Sequence, residues 1–300
     1  MSEPLIALVG PTASGKSALA VEIAHALGDT EIVSADAMQL YRGMDIGTAK
    51  ITEPETQGIR HHLLSVVEPS EEVSVIRYRE LFDSALKDIS SKSMRALAVG
   101  GSTLYLAAAL DEMQFAPTDP EVREGLEREL EELGALAMHE KLQLLDPVAA
   151  AKIPSSNPRR VIRALEVMKI SGESFSASLP EPSYRRPTLQ LGLAIDREVL
   201  LGRVADRVRG MWDAGFLEEV KTLYDTGPLS RTAAVAIGYA QAKAQLDGEL
   251  TEEEAIAETI QLTMRYAKKQ MTWFRRDKRI IWLDSADSLS AALTQIRLVR

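Results

Sequence analysis

The stretch Gly10-Pro11-Thr12-Ala13-Ser14-Gly15-Lys16-Ser17 decides the fold of this 300-residue chain. It matches the phosphate-loop pattern G-x-x-x-x-G-K-[ST] without a gap. In such a loop the backbone N–H groups and the positive end of the following helix dipole converge on one anion, and the lysine adds a full charge. We therefore predict a diphosphate or triphosphate site with a bound Mg²⁺ ion on the Ser17 hydroxyl. Its predicted binding residues are Gly10, Thr12, Ala13, Ser14, Gly15, Lys16 and Ser17.

The sequence on either side supports this interpretation. Residues 5–9 have the apolar run of a buried strand, and residues 17–27 the pattern of a helix that ends at Gly28. An ordinary glycine turn could match the letters, but it would not need a strand before it and a helix after it. The dinucleotide fingerprint G-x-G-x-x-G is absent, which excludes that class of site.

Two further loops are expected at the same place. Residues 31–35 form a second predicted strand, with Asp36 where the strand ends. A third predicted strand, 95–99, leads into Gly100-Gly101-Ser102-Thr103 and an apolar helix over 104–110. The carboxyl ends of parallel strands meet at one edge of the sheet, so these loops should converge on one ligand.

Later strands at residues 189–195 and 280–283 close the sheet with sequence from both ends of the chain. Residues 113–188 lack strand-like runs and have helical periodicity. The predicted fold class is therefore α/β: a P-loop NTPase-like parallel sheet with flanking helices and an inserted helical domain. We expect residues 1–112 and 189–300 to form the catalytic core and 113–188 the insertion.

The clearest helix of the insertion begins at Asn157, an N-cap residue followed by proline, and ends near Gly172. Arg159, Arg160 and Arg163 follow at three- and four-residue spacing, which gathers three guanidinium groups on one side. The pattern allows a solvated cationic face or a clamp on polyphosphate or RNA backbone.

A second helix with mixed character lies near the C-terminus. Thr251-x-x-Glu254 is a capping box, and the helix that follows carries cations between two aromatic residues, Tyr266 and Trp273. Rings beside cations suit nucleic acid. The seven-residue spacing of the two rings suits core anchors of an amphipathic helix equally well.

Composition limits the other possibilities. With no cysteine and four histidines, the chain has no disulfide and little material for a zinc centre, so Mg²⁺ at the phosphates is the only metal expected. The sequence has no signal peptide pattern and no membrane-spanning apolar run, which predicts a cytoplasmic protein without a membrane partner. The net charge of −9 argues against generic nucleic-acid affinity, but residues 265–279 hold seven Lys or Arg against Asp277 alone.

Several longer strings together resemble tRNA dimethylallyltransferases. Beyond the phosphate loop, these strings are Ser34-Ala-Asp-Ala-Met-Gln-Leu-Tyr-Arg-Gly-Met-Asp-Ile-Gly-Thr-Ala-Lys50, His61-His-Leu63, Val99-Gly-Gly-Ser102, Asp119-Pro-Glu-Val-Arg123, Asn157-Pro-Arg-Arg-Val-Ile-Arg-Ala-Leu-Glu166, Ala236-Ile-Gly-Tyr239 and Ala267-Lys-Lys-Gln-Met-Thr-Trp-Phe-Arg275. The resemblance covers essentially the whole chain. The string from Met38 to Lys50 is the most specific.

The resemblance implies transfer of a dimethylallyl group from dimethylallyl diphosphate to the N6 amine of the adenosine 3′ to the tRNA anticodon. The phosphate loop then holds a diphosphate, not ATP. Lys16 absorbs charge on the leaving group, Asp36 acts as general base, and the Ser102 hydroxyl touches the target nucleotide. The implied tRNA contacts are Asp36, Ala37, Met38, Gln39, Ser102, Arg123, Arg159, Arg160, Val161, Ile162 and Arg163, and the insertion reads the anticodon stem-loop. One enzyme acting on one large substrate needs no oligomer, so a monomer is expected.

Two positions depart from the family pattern. Ala37 lacks a hydroxyl that many relatives carry, and Thr103 replaces a glycine, which could stiffen the turn.

Two other functions would use the same phosphate loop. One is a P-loop small-molecule or nucleotide kinase in which Asp36 activates a hydroxyl, and the other is a nucleotide-dependent regulatory ATPase. The guanine-reading Asn-Lys-x-Asp string is missing, because Asn157 is the only asparagine.

Overall fold

The computed structural model describes residues 4–113, 115, 117–175, 182–283 and 287–299. Contacts divide the chain into two compact units. The first comprises Met1–Asp111 and Tyr184–Arg300, and the second comprises Glu112–Ser183. Residues 184–188, which the sequence assigned to the insertion, thus belong to the first unit.

The first unit is built on a six-stranded parallel sheet with the order β3-β2-β4-β1-β5-β6. Its strands are β1 Leu5–Val9, β2 Thr30–Ser34, β3 His61–His62, β4 Arg95–Gly100, β5 Thr188–Leu193 and β6 Ile281–Leu283. The predicted α/β fold class is confirmed. The edge strand β3 was not predicted, since two residues are too short to show a pattern.

Helices cover both faces of the sheet and form the second unit. In chain order they are α1 Lys16–Leu27, α2 Glu53–Thr56, α3 Val75–Ser91, α4 Thr103–Leu110, α5 Pro120–Leu145, α6 Pro147–Lys152, α7 Pro158–Ser171, α8 Arg197–Asp213, α9 Phe216–Thr226, α10 Arg231–Ala234, α11 Tyr239–Leu246, α12 Glu252–Phe274 and α13 Ser288–Leu298. No helix among the described residues combines the length and apolar character needed to cross a membrane.

The strand register brings the three predicted loops to one edge. Val9 at the end of β1 pairs with Gly100 of β4, and Ser34 at the end of β2 pairs with Val99. The phosphate loop, Asp36 and the Gly101-Ser102 turn therefore leave the sheet side by side.

Alternating side chains of the central strands feed two cores, one on each face of the sheet. Ala7 and Val9 join the larger core, which contains Phe82 and Phe216, whereas Leu8 joins the smaller core beneath α1 and α13. A parallel sheet covered on both faces needs such continuous apolar strands, and β1 is buried throughout.

The second unit is a small helical bundle made of α5, α6 and α7. Its core contains Leu126, Met138, Leu142, Val161 and Leu165. The predicted ends of α7 are confirmed, because the Asn157 side chain accepts a hydrogen bond from the Arg160 backbone N–H and Gly172 forms the left-handed C-cap.

Candidate active site

The phosphate loop forms a cradle between β1 and α1. Gly15 has a φ of 93°, a left-handed conformation that favours glycine. Gly10 tolerates no side chain, because a Cβ atom there would lie 2.7 Å from the Leu193 carbonyl oxygen. Beside the loop lies a cavity of about 390 Å³ lined by the segment from Thr12 to Ala18, which we call the phosphate cavity.

Lys16 is the cation of the cradle. Its Nζ donates to the Pro11 carbonyl oxygen at 2.5 Å and lies 3.4 Å from the Ser14 hydroxyl. Burial lowers the pKa of Lys16 to about 7, against the attraction of Asp36 and with a smaller contribution from the positive charge of Arg207. An anion entering the cavity would favour the protonated amine.

Two arginines of α8 complete the cationic wall. Arg207 donates from Nη1 to the Thr12 hydroxyl at 3.2 Å, and Arg203 donates from Nη1 to the Ser14 carbonyl oxygen at 3.2 Å. Both side chains line the phosphate cavity. Sequence reasoning missed them. Their i, i+4 spacing was visible, but nothing in the sequence placed that helix face against a loop some 190 residues away.

Asp36 stands at the junction of two cavities. One of its carboxylate oxygens accepts a hydrogen bond from the Met38 backbone N–H at 2.9 Å. Asp36, together with Thr12 and Arg207, lines both the phosphate cavity and a second cavity of about 310 Å³. An acid at this junction can reach groups held on either side.

The second cavity has mainly apolar walls, and we call it the apolar cavity. Val204, Val208 and Met211 line it from α8, at the spacing of one helix face. The segment from Val235 to Ile237 lines it as well. Its polar groups come from the neighbourhood of Asp36 and from helices α8, α10, α11 and α12.

Ser102 carries a buried hydroxyl at the start of α4. Its Oγ accepts a hydrogen bond from the Ala37 backbone N–H at 3.0 Å, and the side chain lines the apolar cavity. The alanine at 37 therefore keeps a contact with Ser102 through its backbone. Thr103 is the first residue of α4 and has no left-handed φ, so its side chain does not strain the turn.

Two aromatic residues of α12, Tyr266 and Trp273, have different surroundings. The Tyr266 hydroxyl lies beside Ser102 and Gln270, and its side chain lines the apolar cavity. Burial raises the pKa of Tyr266, so the phenol stays protonated at neutral pH. Trp273 packs edge-on against Phe274 beside the core. The sequence left both rings as either site residues or core anchors. In the structure Tyr266 lines the site, whereas Trp273 is a packing residue.

The predicted tRNA contacts of the first unit lie together. Asp36, Ala37 and Met38 line the apolar cavity, and Gln39 lines the phosphate cavity. The Gln39 amide donates to the carbonyl oxygens of Thr48 and Ala49, both at 3.3 Å, and accepts from the Ser34 hydroxyl. The family string from Met38 to Lys50 is therefore one folded wall.

In the second unit, two of the predicted arginines have a structural task. Glu166 is fully buried, and its carboxylate accepts hydrogen bonds from Arg123 at 2.7 Å and Arg163 at 2.8 Å. The Thr118 hydroxyl and the Asp119 backbone N–H donate to the other oxygen. Burial alone would raise the pKa of Glu166, but these hydrogen bonds outweigh it and lower the pKa to about 2.

The remaining residues of that segment divide by burial. Arg159 and Arg160 are exposed on α7. Val161 and Ile162 are 0% and 5% exposed in the core of the second unit. Their side chains pack inside the bundle, so any tRNA contact at these two positions would come from the backbone, and their assignment as tRNA contacts stays a prediction.

Exposed cations lie along the last turns of α12 and continue just past its end, and we call them the basic stripe. The spacing of Arg265, Lys268 and Lys269 places these three within about one third of the helix circumference. The basic stripe consists of Arg265, Lys268, Lys269, Arg275 and Arg276.

The paired histidines of the family string form the edge strand β3. His61 Nδ1 lies 2.8 Å from the Ile59 carbonyl oxygen. His62 Nε2 lies 2.5 Å from the carboxylate of buried Glu31 on the neighbouring strand. Neither side chain lines the phosphate cavity or the apolar cavity.

Comparison with known proteins identifies the family of this chain. The pattern of the family described as IPP transferase matches residues 39–277. A tRNA dimethylallyltransferase of Kineococcus radiotolerans is 49% identical over 305 aligned residues, which cover 99% of this chain and 96% of the relative. One of Salinispora tropica is also 49% identical, with 99% and 92% coverage.

Solved structures extend the similarity to the whole fold. The full-length tRNA isopentenylpyrophosphate transferase from Bacillus halodurans is 36% identical, with a TM-score of 0.72 and coverage of 99% of this chain and 98% of that one. A eukaryotic dimethylallyltransferase acting on tRNA is 26% identical, with a TM-score of 0.80 and coverage of 98% and 77%. The kinase alternative finds no support among these relatives.

Proposed function

This chain belongs to the IPP transferase family, and from that premise we propose its donor, acceptor and catalytic residues. Membership makes it a prenyltransferase that modifies tRNA. The proposed donor is dimethylallyl diphosphate. The proposed acceptor is the N6 amine of the adenosine 3′ to the anticodon.

The phosphate cavity suits the diphosphate of the donor. Lys16, Arg203 and Arg207 surround it with positive charge, and the phosphate loop opens the α1 N-terminus toward it. When the bond between the allylic carbon and its oxygen breaks, the electron pair leaves with the diphosphate. Cations fixed beforehand stabilise that developing charge without reorganisation.

The apolar cavity suits the two groups that must meet. Val204 and Val208 offer an apolar wall to the dimethylallyl group, and the Ser102 hydroxyl offers a polar contact to a nucleoside. An adenosine within an anticodon loop must leave its stack to enter such a pocket, as other base-modifying enzymes require.

Asp36 is the proposed general base. As the amine nitrogen bonds to the allylic carbon, the nitrogen gains positive charge, and the Asp36 carboxylate takes the surplus proton. Its hydrogen bond from the Met38 N–H fixes one carboxylate oxygen, which leaves the other to face the amine. The products are dimethylallyladenosine in tRNA and diphosphate.

Mg²⁺ fits the oxygen donors of the phosphate cavity. The Ser17 hydroxyl is exposed there, and Asp36 lines the same cavity. Hydroxyl and carboxylate oxygens are the ligands that Mg²⁺ prefers. When bound, the ion would neutralise charge on the diphosphate.

Two cationic surfaces are proposed to hold the tRNA backbone. In the first unit it is the basic stripe on α12, and in the second it is Arg159 with Arg160. Exposed arginines and lysines bind phosphate groups without reading sequence. A chain with net charge −9 can therefore bind tRNA through local surfaces.

The placement of Asp36 at the junction of the two cavities carries this proposal. The test is to incubate the enzyme with unmodified tRNA and Mg²⁺, adding either dimethylallyl diphosphate or ATP, and to analyse the digested nucleosides by mass spectrometry. We expect one dimethylallyl unit on a single adenosine with the first donor only. Phosphate transfer from ATP without prenylation would favour the kinase instead.

A further inference from the structure

Glu219, whose carboxylate lies outside both cavities, holds the loop at residues 45–47, and the segment that follows this loop lines both cavities. Glu219 of α9 accepts hydrogen bonds from three successive backbone N–H groups, at Asp45 (3.1 Å), Ile46 (2.7 Å) and Gly47 (3.2 Å). It also accepts from the Tyr239 hydroxyl at 2.6 Å. One side chain thus satisfies four donors from two distant segments.

These contacts use both carboxylate oxygens. Oε2 accepts from Asp45 and Ile46, and Oε1 accepts from Gly47 and Tyr239. A side-chain amide has one oxygen acceptor, and in either orientation its NH₂ group would face at least one backbone N–H donor. Glutamine therefore cannot make all the hydrogen bonds of Glu219, although its shape is the same.

The loop is packed tightly where Glu219 holds it. A Cβ atom at Gly47 would lie 2.3 Å from the Phe216 ring and 2.5 Å from the Tyr239 ring. The two rings meet edge to face, with centroids 5.0 Å apart. The backbone at Gly47 therefore rests directly on aromatic carbon.

The held segment continues into the site. Gly47 and Thr48 line the apolar cavity. The carbonyl oxygens of Thr48 and Ala49 accept the hydrogen bonds that orient the Gln39 amide. At the far end of the loop, Lys50 donates to the Tyr41 carbonyl oxygen at 2.7 Å. The position of residues 45–47 thus sets the position of Gln39 and of the cavity wall.

We propose that Glu219 is a positioning residue for the acceptor nucleoside, holding the backbone of residues 45–47 so that Gly47 and Thr48 form the wall of the apolar cavity against which the nucleoside is seated. This rests on the proposed function, in which the apolar cavity receives the adenosine. Glu219 makes no contact with the phosphate loop among the described residues, and the cations of the phosphate cavity lie on α1 and α8. Donor binding should therefore depend on Glu219 less than acceptor binding does.

The test compares Glu219→Gln with Glu218→Gln, a neighbouring exposed glutamate outside this network. Three quantities are measured for each: hydrogen exchange of peptides covering residues 43–50, the Kd for pyrophosphate and for tRNA, and the steady-state kcat and KM. For Glu219→Gln we expect faster exchange and a loss of kcat/KM for tRNA on the order of tenfold, the size expected when hydrogen bonds of part-buried donors to a charged acceptor are lost. The loss of pyrophosphate affinity should be clearly smaller, and Glu218→Gln should match the wild type.

Glu219→Asp and Tyr239→Phe complete the series. Aspartate keeps both acceptor oxygens on a shorter side chain, so it should recover part of the exchange protection and of the tRNA kcat/KM. Tyr239→Phe removes one of the four donors and should have the smaller effect. Wild-type exchange and kinetics in Glu219→Gln would overturn the proposal, as would an equal loss of pyrophosphate and tRNA affinity. A wild-type enzyme that prenylates no tRNA would instead refute the proposed function, and exchange and tRNA Kd would still report on Glu219.

Discussion

The side-chain carbonyl of Gln270 accepts a hydrogen bond from the Thr12 backbone N–H at 2.9 Å, across 258 residues of sequence. The amide nitrogen of the same side chain donates to the Gly101 carbonyl oxygen at 2.8 Å. Gln270 is 2% exposed. One buried amide therefore fastens the phosphate loop to the turn that carries Ser102, and α12 becomes part of the active site.

Replacing Gln270 with leucine should loosen the phosphate loop. The substitution removes the partner of the buried Gly101 carbonyl, which costs about 1–3 kcal/mol, and that of the part-buried Thr12 N–H, which costs less. We expect a lower melting temperature and a weaker pyrophosphate Kd in calorimetry. Gln261→Leu, on an exposed turn of the same helix, is the control and should change neither.

Asp36→Asn should abolish most turnover and leave donor binding intact. Asparagine keeps an acceptor for the Met38 N–H but cannot take the proton of the amine, so kcat should fall on the order of 10²- to 10⁴-fold. Single-turnover prenylation of tRNA measures the loss, and pyrophosphate calorimetry checks the cradle. Turnover near that of the wild type would remove Asp36 from the mechanism.

Binding of diphosphate should take up a proton above pH 7. The free enzyme holds Lys16 with a pKa of about 7, lowered mainly by burial, so at pH 8.5 the amine is mostly neutral. A bound diphosphate raises this pKa, and affinity should weaken by up to about tenfold per pH unit above 7. Calorimetry in buffers of different ionisation enthalpy measures the uptake, and the difference from Lys16→Met isolates Lys16 from the titration of the ligand. Equal uptake in both proteins would contradict the prediction.

Arg159 and Arg160 should contribute to tRNA affinity by binding backbone phosphates. Replacing both with alanine should weaken binding and reduce the dependence of log Kd on log salt concentration by about two units, one for each arginine removed. Filter binding across a salt series gives the slope. An unchanged slope would show that these two arginines form a solvated cationic surface that binds no phosphate.

Glu166 should stabilise the second unit in a pH-dependent way. Its folded-state pKa of about 2 lies below its ordinary value of 4.5, so its contribution to stability is complete above pH 4.5 and disappears as the pH falls toward 2. Glu166→Gln should therefore melt below the wild type at pH 6, with the difference shrinking in acid. Arg163→Met should also destabilise the protein, because it leaves a buried carboxylate with one arginine. A constant difference between wild type and Glu166→Gln from pH 6 to pH 2.5 would argue against this role.

The local elements of the core were readable from the sequence because their signals are local. The letters from Gly10 to Ser17 require a strand, a turn with a left-handed glycine and a helix, and the structure has all three. The caps at Asn157 and Thr251 identify helix starts for the same reason, since the capping side chain and the N–H it satisfies are within three residues.

The partners of each side chain depended on the tertiary structure. Arg163 and Glu166 lie one helical turn apart, but only the packing of α5 against α7 brings Arg123, 43 residues away, to the same buried carboxylate. Arg207 and Glu219 lie in no motif, and Gln270 lies in a family string that assigned it no role. They act in or beside the site because helix packing brings them to loops far away in the sequence, and that packing depends on the summed burial of many apolar groups, which no short pattern records.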